Sequence, residues 1–182
     1  TIRFQHLTND TPKITFYSNV GAGEYALILG KYRGAPPIPP EHAGSLENIT
    51  LQVTGAGNGI HARAVSAKVA MKNVSIISTY ALVPGSGSIG VMFGTDDNAG
   101  IQAISCTFDS VTARNFDTDF YMGYFSNNNV YRKVYALQTG TDHPTTRATN
   151  GFYIRGRGGI YDGCGVENFF TNLIRSEEHT SE

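Results

Sequence analysis

Two short stretches bring carboxylates together. "GTDDNAG" holds Asp96 and Asp97, and "FDTDF" holds Asp117 and Asp119. A pair of carboxyls is what glycosidic cleavage needs, about 5–5.5 Å apart for retention and about 6.5–9.5 Å for inversion. In an extended chain Asp117 and Asp119 point the same way, about 6.6 Å apart. The same residues have plainer uses. An Asp in a polar loop caps a turn with its own side chain, and Asp pairs in Gly-rich loops ligate Ca²⁺. A second set of residues suits binding rather than bond breaking. "NGIHAR" (58–63) and "NGFYIR" (150–155) are copies of one pattern 92 residues apart, each ending on an arginine. They supply His61, Arg63, Tyr153 and Arg155, and Tyr124 and Arg157 complete the set. Aromatic rings cover the apolar face of a pyranose, and guanidinium donors reach hydroxyls or uronate carboxylates. The alternative use of such residues is to stack on one another and stabilise a sheet.

The elements that carry these residues are strands. No stretch keeps apolar residues at helical spacing beyond two turns. Short β-type runs occur at 49–53, 74–77, 91–93, 106–111, 130–134 and 152–154, punctuated by Gly, Asn, Asp and Ser. The apolar residue after each turn recurs: Ile28, Ile60, Val91, Tyr121 and Phe152 are spaced by 32, 31, 30 and 31 residues. A second series, Ile49, Val74, Val111, Val134 and Phe169, runs between them at uneven steps. Propeller blades are longer, about 40–45 residues, and leucine-rich repeats need a dense Leu pattern that is absent. The period fits an all-β parallel β-helix of about five coils, about 31 residues each, stacked at about 4.8 Å.

Alternation along each strand then assigns faces. The expected inward pairs are Ile60/Ala62, Val91/Phe93, Tyr121/Gly123 and Phe152/Ile154. One outward column is His61, Met92, Met122, Tyr153, and the next is Arg63, Gly94, Tyr124, Arg155. Two residues before each marker lie Asn58, Ile89, Asp119 and Asn150, read as a ladder of turn residues. Asp96 and Arg157 each sit five past a marker, two coils apart, about 10 Å across the stack. Cys106 and Cys164 each sit five before a second-series marker. They are expected to share a register two coils apart, too far for a disulfide.

The segments "GSLENITLQVTG" (44–55), "NGIHAR" (58–63), "AMKNVSIIS" (70–78), "CTFDSVTARN" (106–115) and "NGFYIRG" (150–156) resemble the right-handed single-stranded β-helices of the pectate-lyase-like group. That group includes phage tailspikes and tail-associated depolymerases. The resemblance spans roughly residues 22–172. It implies a polysaccharide partner, a glycoside hydrolase or lyase activity where catalysis occurs, homotrimers, and a virion-tail or extracellular location. The Gly-His-Gly and Arg-Ile-Lys motifs of polygalacturonases are absent. The competing expectation is a non-catalytic structural or adhesin β-helix. Taken together, Asp96, Asp97, Asp117 and Asp119 are the catalytic candidates. His61, Arg63, Tyr124, Tyr153, Arg155 and Arg157 are the substrate-binding candidates, and no cofactor or resident metal is expected.

Bulk properties narrow the partners. Net charge is −1, without the basic excess of a nucleic-acid footprint. No apolar run approaches the roughly 18 residues of a membrane helix. "APPIPPEHAG" (35–44) holds four of the seven prolines and is expected to loop out of the coil. Residues 139–150 read as a polar side loop containing "HP" (143–144). "RSEEHTSE" (175–182) resembles a translated sequencing adapter and is set aside from fold reasoning. The expectation is therefore a β-helix over 1–174, a fragment open at both ends.

Overall fold

The computed structural model describes residues 14–30, 45–63, 65–66, 69–80, 85–96, 103–138, 148–167 and 169–175. Asp97, the proline-rich stretch 35–44, residues 139–147 with "HP", and the tail beyond 175 lie outside them. Among the described residues every regular element is a strand: β1 (Ile14–Ser18), β2 (Tyr25–Leu29), β3 (Leu46–Val53), β4 (Asn58–Ala62), β5 (Val65–Ser66), β6 (Val69–Ser78), β7 (Ile89–Phe93), β8 (Ala103–Ile104), β9 (Thr107–Arg114), β10 (Thr118–Met122), β11 (Ser126–Asn127), β12 (Val130–Arg132), β13 (Tyr135–Leu137), β14 (Ala148–Ile154), β15 (Ile160–Asp162), β16 (Gly165–Glu167) and β17 (Phe169–Arg175). The last strand runs through Arg175, which pairs with Ile154, so the sheet includes one residue that the sequence reading had set aside.

The chain visits stacked sheets in turn. The first sheet is ordered β1-β3-β6-β9-β12-β15, with β13 and β16 beside it. The second is β17-β14-β10-β7-β4-β2, and the third is β11-β8-β5. The pairings are parallel, and each pass adds a strand next to its counterpart in the preceding pass. This all-β arrangement of parallel strands is compatible with a β-helix.

The bends come from residues that tolerate left-handed backbone. Asn48, Asn73, Ser110, Lys133 and Gly163 occupy one register position in five successive passes through the first sheet, within β3, β6 and β9 and then in the breaks between β12 and β13 and between β15 and β16. Their φ values are 57°, 52°, 55°, 49° and 61°. Short polar side chains reach this region at low cost, and Gly reaches it freely. The Asn73 amide donates to Asn48 Oδ1 at 2.8 Å, tying two bends together. The expected run 130–134 is interrupted at Lys133 for this reason. A second column, Ser105, Asn128 and Gly158, bends the chain between the third sheet and the first.

The interior is aromatic and aliphatic. Phe108 stacks on the buried Tyr131 at 5.4 Å, and the exposed Tyr161 stacks on the other side of Tyr131 at 4.9 Å. Phe120 stacks on Phe152 at 5.1 Å, and Phe93 meets Phe108 edge-on at 4.4 Å. Each such buried ring contributes about 1.5–3 kcal/mol by leaving water, and successive passes bury what no single pass could.

The register corrects the marker series at two places. Leu27, Ile60, Val91, Phe120, Phe152 and Leu173 are level with one another, not Ile28 or Tyr121. A slip of one residue moves a side chain to the opposite face. Phe120 and Met122 are therefore the inward pair of β10, both fully buried, and Tyr121 faces out. The outward column is Ile28, His61, Met92, Tyr121 and Tyr153. In the second series, Ile49, Val74, Val111 and Val134 do share a level. The next member is Cys164 and not Phe169, which starts β17 in the second sheet. Cys106 lies level with Asn129 instead, so the two cysteines do not share a register. Both are free thiols, Cys106 buried and Cys164 half-buried.

Candidate functional site

The second sheet's outward face and the turns that leave it hold most of the candidate residues. Past the strand ends, backbone bonds align Arg63, Gly94, Gly123 and Arg155: Gly94 N donates to Ala62 O, Gly123 N to Phe93 O, and Arg155 N to Met122 O. Tyr124 lies one residue beyond this column, not within it. Its neighbours differ accordingly.

Asp96, in the turn after β7, gathers three of these groups from later passes. Its carboxylate accepts a hydrogen bond from the Tyr121 hydroxyl and one from the Tyr124 N–H, the latter at 2.8 Å. It also pairs with Arg155 Nη1 at 2.6 Å. Arg155, and not Arg157, is thus the partner of Asp96. Arg157 turns to Tyr124, donating to its hydroxyl at 2.7 Å with the guanidinium 5.0 Å from the ring centroid. Tyr121 and Tyr153 stack at 5.0 Å and 20°. Burial, and then the Asp96 carboxylate, hold the Tyr121 phenol well above its ordinary pKa. The result is a half-exposed patch of Tyr121, Tyr153, Tyr124, Arg155 and Arg157 around one fully engaged carboxylate.

Asp117 and Asp119 do not form a catalytic pair. Asp117 accepts the N–H groups of Gly85 and Gly87, both at 2.9 Å, and so fastens the loop before β7. Asp119 points inward and is wholly buried, accepting Phe116 N–H at 3.2 Å and Leu137 N–H at 2.9 Å. Its place explains this. Thr118, not Asp119, is level with Asn58, Ile89 and Asn150, so Asp119 falls on the level of Gly59 and Gly90. A Cβ at Gly59 would meet Gly90 O at 2.3 Å and the Ile76 side chain at 2.6 Å, and one at Gly90 would meet the Ala113 side chain at 2.9 Å. That slot faces the first sheet, and in β10 the carboxyl fills it. Burial raises the Asp119 pKa well above the usual range against two backbone hydrogen bonds and Arg114, which pull it down.

His61 is 6% exposed, its ring tilted against Tyr25 at 4.8 Å. Burial and the Arg63 charge lower its pKa to about 4, opposed by a backbone hydrogen bond at Gly94. His61 Nε2 and Arg63 Nε are buried without hydrogen-bond partners. The Tyr25 hydroxyl lies against Met92 Sδ at 2.9 Å. Neither Tyr25 nor Tyr121 was a sequence candidate. Adjacent aromatics in "DFYM" hid Tyr121, since only register separates Phe120 from it. Nothing in the sequence marked Tyr25.

Among the described residues, no group of three or more His, Cys, Asp or Glu is placed to hold a metal ion. No protein-family model, curated protein or solved structure matches the chain.

Proposed function

We propose that the chain is a right-handed parallel β-helix of about five coils, of the pectate-lyase-like and tailspike kind, that binds a polysaccharide on the outward face of its second sheet. One observation carries the reading: stacked Tyr121 and Tyr153 lie beside an Arg155 whose Nη1 is anchored by Asp96. Stacked rings offer an apolar platform for a pyranose, and an anchored guanidinium keeps its geometry for polar groups on the ligand. Binding is favoured over cleavage because Asp96, Asp117 and Asp119 each accept two or more hydrogen bonds within the protein. That same engagement favours a second reading, a structural β-helix whose outward residues only pack.

The test is a panel of capsular and cell-surface polysaccharides presented to the immobilised protein and to a Tyr121→Ala/Tyr153→Ala variant. The expected result is saturable binding to at least one polymer, reduced tenfold or more in the variant, with no shortening of the polymer. Absence of binding across the panel rejects the carbohydrate reading and leaves the structural one.

A further inference from the structure

Three polar groups on the outward face of the early strands are poorly satisfied. His61 Nε2 and Arg63 Nε have no partner, and the Tyr25 hydroxyl has a thioether sulfur, a weak acceptor. Buried polar groups are ordinarily paired, so each such group marks either strain or a missing partner. The chemistry of the missing partner can be read from the groups themselves. The Gly94 backbone bond uses the imidazole N–H, which leaves Nε2 as a lone-pair acceptor. Arg63 Nε–H is a donor. A carboxylate or phosphate satisfies the arginine and leaves the imidazole nitrogen bare. An ammonium group does the reverse. A hydroxyl satisfies both.

We infer that His61, Arg63 and Tyr25 form a subsite for one hydroxyl of a sugar residue, with Tyr25 moving off Met92 to admit it. The inference rests on the polysaccharide reading and adds a direction to it. His61 and Tyr121 are two strand steps apart in one outward column, about 10 Å. A glycan that reaches both runs along the stack and across the strands.

The experiment compares wild type, His61→Phe, His61→Gln and Tyr121→Ala on the polysaccharide panel, with folding checked by circular dichroism. Phe keeps the ring against Tyr25 and removes both nitrogens, and Gln restores an acceptor together with an N–H donor. About tenfold weaker binding in His61→Phe, partly recovered in His61→Gln, is expected alongside the loss in Tyr121→Ala. If only Tyr121→Ala weakens binding, the hydroxyl subsite is wrong and the polysaccharide reading stands. If neither substitution weakens it, both fall. If no polymer binds wild type, the reading falls and glycerol decides the subsite through the His61 imidazole nitrogen resonances. A saturable Nε2 shift with glycerol, absent with equal acetate, keeps the subsite. No shift with either overturns the inference.

Discussion

Asn129 and His61 are both buried polar side chains, 1% and 6% exposed. The interior treats one of them quite differently from how the outward face treats the other. Asn129 Oδ1 accepts Cys106 N–H at 2.9 Å, and its amide donates to Ala103 O at 2.9 Å, Ser126 Oγ at 3.0 Å and Tyr131 OH at 3.3 Å. It stitches the third sheet to the first at the column where the chain bends. His61 leaves Nε2 bare. A satisfied buried network rigidifies a corner, whereas an unsatisfied group on a face holds unused capacity for recognition. The contrast separates architecture from candidate function in a molecule where both use the same residue types.

The largest test of that contrast is Asn129→Ala. It strands the buried Cys106 N–H, which costs about 1–3 kcal/mol when left unpaired, and removes the amide's bonds to Ala103 O, Ser126 and Tyr131. Chemical denaturation should show a loss of about 2–3 kcal/mol. A loss below about 1 kcal/mol means that the bend holds without its amide.

The architecture was readable from the sequence wherever a repeat constrained it. The recurring apolar residues predicted parallel stacked strands, and Ile49, Val74, Val111 and Val134 do lie on one level. The exact faces were harder. "TDFYM" contains two adjacent aromatics, and Phe120 follows Val91 by 29 residues where Val91 follows Ile60 by 31, so a marker taken at an even period lands one residue late. Periodicity tolerates that displacement, but facing does not. Placing Tyr121 inward hid the centre of the candidate patch, and Asp119 was a candidate acid through its closeness to Asp117 alone. Asp96 was found as a carboxylate, but its partners come from later passes, up to 59 residues away. No local pattern encodes such a contact.

His61 and Asp119 also differ in sign with pH. His61 titrates near 6.5 when unfolded and near 4 in the fold, so its contribution to stability is complete above 6.5 and is lost as pH falls toward 4. Asp119 titrates near 3.8 when unfolded and well above that in the fold, so its contribution is complete below 3.8 and is lost as pH rises. Each slope is about 1.4 kcal/mol per pH unit for one proton. Where the two windows overlap they oppose each other. Urea unfolding between pH 4 and 6.5 should therefore give a shallow profile for wild type, stability rising with pH in Asp119→Asn, and stability falling with pH in His61→Phe. Parallel profiles for all three would refute the opposed assignment.

At neutral pH the contrast with Asn129 becomes direct. His61→Phe removes the bare Nε2 together with the ring N–H that bonds the Gly94 backbone, and keeps the ring against Tyr25, so only one made hydrogen bond is lost and stability should fall by about 1 kcal/mol or less. A loss as large as that of Asn129→Ala would mean that Nε2 also has a structural partner, and the hydroxyl subsite would fall.

Asp96→Asn is the gentlest change and tests the patch itself. Arg155 and Asp96 have side-chain exposures of 40% and 25%, so the ion pair is solvent-screened and adds little to stability. An amide oxygen can still accept from Tyr124 N–H or Tyr121 OH. The expected loss is about 0.5–1 kcal/mol. The larger effect is on the side chains that Asp96 holds. Without the carboxylate charge, the Tyr121 phenol should ionise at lower pH, although burial still keeps it raised. Ultraviolet titration reads this directly. Arg155 loses its anchor and samples more orientations, so polymer binding should weaken while the Tyr121–Tyr153 stack persists. If the phenol shifts but binding is unchanged, Asp96 serves the inter-strand ties alone, and the outward face behaves like the interior corner at Asn129.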